Sequence, residues 1–295
     1  MKSQRRQTPR ERVFQAVNML IMLIFAFVCL VPMLNILAKS LSNEAAVSMG
    51  RVSIFPINPT LNAYKYITKT NIVTPFINQL IITVSGTVIS IVLLYLIAYP
   101  LSRPKTKGKR VIMMVVLFTM FFTPGVMPNY LLINALKLNN NLLSVILPGA
   151  FSGFNLMILR SYMQENIHEA LIEAAEVEGA SHTHILIKVV APLCLPVTAT
   201  ITLFVAVGYW NNYFEAMIYL TKPQYKTLQV YLQEVVNNVA NIASSAAYDP
   251  DVTIAKSPQT IRAAAIIVTT LPVLMVYPFL QRYYIQGMTV GSIKG

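Results

Sequence analysis

Charge is scarce in this chain. Asp, Glu, Lys and Arg make up 12% of its 295 residues, against about 25% in an ordinary soluble domain. Hydrophobic residues reach 55% and the mean hydropathy is +0.58, so too few charges remain to clothe a water-soluble globule. A soluble enzyme of this size is excluded. Only two cysteines occur, Cys29 and Cys194, each inside an apolar run; no disulfide framework is implied. The 23 basic residues outnumber 11 acids for a net charge of +12, yet they do not gather on a soluble face as a nucleic-acid binder requires.

What the chain does have is long uncharged stretches. Between successive charges lie Val13 to Ala38, Thr70 to Ser102, Val111 to Leu136, Leu138 to Leu159, Val189 to Phe214 and Ala263 to Gln281. A helix crossing hydrocarbon needs about 20 mostly apolar residues, which makes six candidate spans. The fourth is thinned by Asn139, Asn140 and Asn141 and interrupted at Pro148 and Gly149. The first is too long for the h-region of a cleaved signal peptide and reads as a retained anchor.

Basic residues orient the spans. Lys2, Arg5, Arg6, Arg10 and Arg12 precede the first span. Arg103, Lys105, Lys107, Lys109 and Arg110 separate the second from the third. The positive-inside rule assigns both clusters to the cytoplasm, so the net charge is chiefly a topology and lipid-headgroup feature. The expected architecture is all-α, integral to the membrane, with six transmembrane helices and both termini inside. Its parts are a tail over 1–12, a first span over 13–38, a core over 70–285 containing a loop over 160–188, and a second tail over 286–295.

No Asp, Glu, Lys, Arg or His lies within any of the six runs. Ion-coupled transporters and pumps place ionisable groups at membrane depth, and an intramembrane hydrolase needs acid–base or metal groups there. A secondary transporter or channel is therefore the chief alternative but lacks its expected residues. A structural scaffold leaves other features unused, and a membrane enzyme comes last. Prolines recur instead at Pro32, Pro124, Pro128, Pro148, Pro192, Pro196, Pro272 and Pro278. They fit either ordinary membrane-helix usage or broken helices lining a pathway. Asn129, Tyr130, Asn155, Trp210, Asn211, Asn212 and Tyr213 are candidate pathway residues, since amides beside aromatic faces suit a sugar. Trp210 and Tyr213 equally suit an interfacial aromatic belt.

The segment Arg160 to Lys188 holds five of the eleven acids: Glu165, Glu169, Glu173, Glu176 and Glu178. At 100° per residue Glu165, Glu169, Glu173 and Glu176 share one side, opposite Ile167, Ala170, Leu171 and Ala174. The pattern predicts a short amphipathic helix, N-capped by Asn166 with Glu169 closing a capping box, ended by Gly179, with Ser181 capping the next. An anionic face is wrong for anionic lipid and right for a protein partner. The small residues Ala174, Ala175, Gly179 and Ala180 permit a close approach.

In the run Glu173-Ala174-Ala175, three residues, Gly179-Ala180, then Pro192 and Pro196, this loop resembles the EAA loop of binding-protein-dependent ABC importer permeases. Glu178 stands where that family usually has Asp, and Leu186 where an aromatic is common. Tyr209-Trp210-Asn211-Asn212-Tyr213 resembles a motif of sugar-importer permeases. Gly287 to Gly295 resembles the tail of the second maltose-permease subunit, and the region from Leu271 onward is most similar to permeases for complex and pectin-derived oligosaccharides.

The resemblance implies a type I (MetI-like) permease fold in a bacterial cell membrane, working by alternating access. It implies three kinds of partner: a second homologous permease subunit forming a heterodimer, a dimer of ATP-binding subunits, and an extracytoplasmic sugar-binding protein, a lipoprotein. Glu169, Glu173, Ala174, Ala175, Glu178, Gly179 and Ala180 would couple to the ATPase, and Gly291, Ser292, Ile293, Lys294 and Gly295 would touch it. ATP and Mg would sit on that partner, because the chain has no G-x-x-x-x-G-K-[ST] phosphate loop; it would hold no cofactor or metal and catalyse nothing itself. Leu228 to Val239 reads as a helix in an outer segment. Asp249 and Asp251 read as a solvated turn.

Overall fold

The computed structural model describes residues 9–69, 71–122, 124–244 and 258–291. Asp249, Asp251 and Ser292 to Gly295 lie outside them. Every regular element among the described residues is helical. Two compact units emerge, one formed by Met1–Thr70 with Gln233–Thr270 and the other by Asn71–Leu232 with Leu271–Gly295.

In the first unit, α1 (Pro9–Ser40) keeps its large apolar side chains outward along most of its length, with Phe14 at 72% and Phe27 at 64% exposed. A helix apolar all round needs lipid or protein about it. Its last turns are tied down. Asn35 Nδ2 donates to Ser53 O at 2.6 Å, and Ser42 Oγ donates to Ala38 O at 2.6 Å. Two short helices follow, α2 (Glu44–Ser48) and α3 (Asn62–Lys69).

The second unit is built around α4 (Val73–Ser102), an uninterrupted 30-residue helix about 45 Å long. Around it lie α5 (Lys109–Phe121), α6 (Val126–Ala135), α7 (Leu143–Gly149), α8 (Gly153–Asn166), α9 (Glu169–Val177), α10 (His182–Ile185), α11 (Ala191–Leu193), α12 (Leu195–Trp210) and α13 (Phe214–Tyr219). The chain then forms α14 (Leu228–Ser244) and α15 (Pro258–Gly291). The heaviest packing of α4 is against α12 and α8. Leu94, Leu156, Leu159, Cys194 and Ile201 fill one core; Ile82, Val145, Tyr209 and Leu220 fill a second.

Three helices, within 10–40, 73–102 and 258–275, are long and apolar enough to cross a membrane. Three bent pairs would bring the number to six if each is one span. The breaks follow the prolines. Pro124 and Gly125 (φ 82°) part α5 from α6, and Pro148 and Gly149 precede the 48° bend between α7 and α8. Pro192 and Pro196 flank the 85° bend between the His182–Leu193 stretch and α12. A proline nitrogen cannot donate to the carbonyl a turn earlier, so α11 and α12 each start with proline in the first turn. Pro32, Pro272 and Pro278 instead lie within helices that continue through them. α15 carries on as helix to Gly291, into the expected tail over 286–295.

Tyr209 locks the second core. Its hydroxyl donates to Ile146 O at 2.7 Å, and its ring fills a slot left by two glycines. A Cβ at Gly86 would lie 2.6 Å from that ring and one at Gly149 3.0 Å from it. Overpacking of this kind costs about 1–3 kcal/mol. Gly86→Ala should therefore lower the melting temperature of the solubilised protein, whereas adding it to Tyr209→Ala should cause no further loss. A further loss in the double variant would show that the ring is not what Gly86 accommodates.

Candidate functional site: the α8–α10 loop and the α12–α13 corner

Helix α8 runs through Asn166, and Ile167 turns extended (φ −114°, ψ 104°). The Asn166 amide donates back to Tyr162 O at 3.0 Å. Asn166 is thus the last residue of one helix and not the cap of the next. His168 holds the N-cap position of α9 without a side-chain hydrogen bond. The expected capping box fails because α8 runs through Asn166 and α9 begins only at Glu169, which puts His168 at the cap position. The other end is as expected: Gly179 adopts φ +82°, its N–H bonds Glu176 O and the N–H of Ala180 bonds Ala175 O, both at 3.0 Å. This is a Schellman ending, which needs a left-handed residue. Ser181 Oγ then accepts from His184 N at 3.3 Å and starts α10.

Ile172 anchors α9, buried with Ile167 and Ile185 in the core that also holds Tyr99 and Leu101 of α4. Turning Ile172 inward brings Glu169, Glu173 and Glu176 alongside the basic segment after α4. Glu169 Oε2 pairs with Arg103 Nη1 at 2.9 Å and Glu173 Oε1 with Lys105 Nζ at 2.9 Å. Glu176 lies 3.7 Å from His182 Nδ1. The hydrogen bond that Lys105 Nζ donates to Glu173, with the carboxylate's charge, raises the Lys105 ammonium above its usual pKa. The expected anionic face is therefore largely answered by the chain's own cations. Outward instead point Ala170, Leu171, Ala174, Val177 (89% exposed) and Glu178, a mostly apolar face of small side chains. Ala175 and Ala180 are half-buried and Gly179 is exposed.

Arg103 holds the corner beneath. Its side chain is 14% exposed and its guanidinium lies 4.9 Å from the centroid of Tyr99, within cation–π range. Carbonyls at the end of α4 are met from α8: Arg160 Nε donates to Leu101 O at 3.0 Å and Gln164 Nε2 to Ser102 O at 3.5 Å. Reading the residues alone missed Arg103 and Lys105 as partners of the acidic helix. Their spacing against Glu169 and Glu173, two residues against four, hints at the match.

The candidate pathway residues gather only partly. Trp210 is buried inside its unit (5% exposed), which removes it from an interfacial belt. It meets Phe76 edge-on at 6.3 Å and borders a cavity of about 320 Å³ with Leu80, Val84, Thr87, Val207 and Pro272. No charged group lines that cavity. Asn211 is exposed at the end of α12, Asn212 Nδ2 donates to Glu215 Oε2 at 2.8 Å, and Tyr213 is half-buried at the start of α13. Tyr130 reaches this corner by stacking with Tyr219 at 6.3 Å, with half-buried Asn129 beside it in sequence. Asn155 is buried in the first turn of α8, its N–H on Ser152 Oγ at 3.4 Å. No hydrogen bond among the described residues joins it to the corner.

Two amides at this corner escaped sequence reasoning. Gln79 is wholly buried, and its Nε2 donates to Tyr209 O at 3.0 Å and Trp210 O at 3.2 Å. Asn78 Nδ2 donates to Gln224 O at 2.9 Å and Lys226 O at 3.0 Å. An Asn-Gln pair inside an apolar run was the available signal, since amides there answer freed backbone groups.

A helical membrane unit with bent spans and a helix–turn–helix loop fastened beneath it defines a transport permease. The chain belongs to the family of binding-protein-dependent transport system inner membrane components, which its residues 95–290 match. It is 37% identical over 290 residues to the polygalacturonan/rhamnogalacturonan transport system permease protein YtcP of Bacillus subtilis (strain 168), covering 97% of this chain and all of that one. Protein LplC of the same organism is 35% identical, covering 98% and 97%. Among solved structures, a bacterial ABC transporter involved in the import of the acidic polysaccharide alginate superposes with a TM-score of 0.83 at 34% identity, covering 94% of this chain and 99% of that chain. The chain is thus a multi-pass permease subunit of a multi-component ABC import system.

Gly179 carries a clear expectation. No atom of the chain lies within 4 Å of a Cβ built there, so the cost of substitution is the left-handed backbone, about 1–2 kcal/mol for an L-residue. Gly179→Asp should abolish ATP-driven uptake while membrane abundance, followed by immunoblot, stays near native. Native uptake by that variant would mean that the turn has no part in transport.

Proposed function

We propose that this chain is a permease subunit through which an ABC importer carries oligosaccharides released from acidic plant or microbial polysaccharides, rich in uronic acid. The carrying observation is the 37% identity over 97% of the chain to a polygalacturonan/rhamnogalacturonan permease; the likeness to an alginate importer points to the same substrate chemistry. The subunit sits in the bacterial cell membrane with both termini inside, paired with a second permease chain. It receives substrate from an extracytoplasmic binding lipoprotein and is driven by ATP and Mg on a separate subunit dimer. The loop helix α9 is the coupling element. Its outward face of Ala170, Leu171, Ala174 and Val177 supplies apolar area and a close approach, while its acids hold it to its own chain. Gly291 to Gly295 are the proposed second contact with the ATPase. ATP-driven closure favours one access state and hydrolysis resets it, a shift limited by the difference in affinity for the two states.

The cavity beside Trp210 lacks cations, so it is not where a uronate carboxylate would be held. Recognition falls to the binding protein, to the partner permease or to the polar corner of Asn211, Asn212 and Tyr130. The assembled complex, reconstituted with its binding protein, should show ATPase stimulation by oligogalacturonides or rhamnogalacturonan fragments and little by neutral maltodextrins. Stimulation by neutral glycans alone would overturn the substrate class. Removing Ile293 to Gly295 should change stimulated ATPase activity more than the amount of complex recovered; unchanged activity would refute the tail contact.

A further inference from the structure

Helix α4 is continuous from Val73 to Ser102, and side-chain bonds hold it toward each end. At one end Arg103, the residue just after its last turn, binds Glu169 in the first turn of α9 at 2.9 Å while lying over Tyr99 of α4 itself. Arg160 and Gln164 of α8 bind carbonyls of the same turn. Toward the other end Gln79 binds the last two carbonyls of α12, those of Tyr209 and Trp210, and Gln229 adds a second donor to Trp210 O at 3.2 Å. Between the grips, Gly86 lets α4 approach Tyr209. The Tyr95 and Thr198 hydroxyls share a hydrogen bond across α4 and α12.

From this arrangement we propose that Arg103 is a positioning residue that fastens the coupling helix α9 to α4, so that displacement of α9 drives α4 directly and, through Gln79, the α12–α13 corner where Trp210 lies. The proposal rests on the transport reading above. The chain's covalent connections alone would deliver motion of α9 to α8 and to the α10–α12 stretch; beside the non-directional packing of Ile172 in the core shared with Tyr99 and Leu101, the Arg103–Glu169 pair adds a directional link to the end of α4. Arg103 suits the task because its flat guanidinium can face Tyr99 and a carboxylate together. Its side chain is mostly buried, 14% exposed against 33% for Glu169, so the pair is less open to water than Lys105–Glu173. Lys105–Glu173 lies in the open, its side chains 73% and 52% exposed, where an ion pair contributes little. Arg103, not Lys105, is therefore the fastening.

The test measures substrate taken up per ATP hydrolysed by the assembled importer in proteoliposomes. Arg103→Gln should lower this ratio about five-fold or more, the size of an ordinary coupling between sites. Arg103→Lys, which keeps the charge but loses the flat guanidinium, should recover only part of the loss, and Lys107→Gln, which removes a neighbouring charge of the same segment, should stay near native. A purely structural role would lower the yield of complex and leave the ratio alone. If Arg103→Gln assembles poorly, the ratio is read in Glu169→Gln and in the double variant with Arg103→Gln. Loss in the double no greater than in the single supports the link, and additive losses overturn it. An importer that transports normally yet keeps its ratio in Arg103→Gln overturns this proposal alone. A native complex showing no ATP-driven uptake overturns the transport reading beneath it.

Discussion

A backbone carbonyl released from a helix inside hydrocarbon has no water to turn to, and this constraint governs the second unit. Where helices end, carbonyls without a partner in the helix are answered by side chains. Gln79 and Gln229 answer the end of α12, Asn78 the segment after α13, and Arg160 and Gln164 the end of α4. Hydrogen bonds between membrane helices contribute about 0.6 kcal/mol each on average. Their larger effect is positional, because an amide that serves two carbonyls fixes where a broken helix stops. These side chains let the helices end against one another without stranding their backbone.

The second constraint is electrostatic. Five basic residues follow α4 and a cluster of acids lies in the α8–α10 region. Burying Ile172 brings the two together, and Arg103 and Lys105 engage Glu169 and Glu173. Pairing leaves the opposite side of α9 small and apolar. A surface of that kind docks closely with another protein without first stripping water from charges. The loop thus divides its labour: acids toward its own chain, alanines outward.

How much was legible depended on whether a feature was local. Six uncharged runs, the left-handed Gly179 and the Ser181 cap all follow from residue type and spacing, whereas only the structure separates the prolines at bends from Pro32, Pro272 and Pro278, which lie inside continuous helices. The Glu173-Ala174-Ala175 to Pro196 pattern was enough to point to the permease family that residues 95–290 match. Asn166 misled because a residue that caps well is equally able to end the previous helix by bonding back to Tyr162. Trp210 misled because an aromatic at the end of a span looks alike whether it faces headgroups or packs against Phe76.

By itself the sequence determined that the chain enters a membrane, where its apolar runs lie and which segment carries the Glu173-Ala174-Ala175 pattern with its left-handed Gly179, since hydropathy and glycine act within a few residues. Only the tertiary structure decided which way α9 faces, that Arg103 spans the gap to Glu169, and that Gln79 holds the end of α12. Those contacts join positions 66 and 130 residues apart. An ion pair or an amide bond of that kind exists only once packing has brought its two ends together.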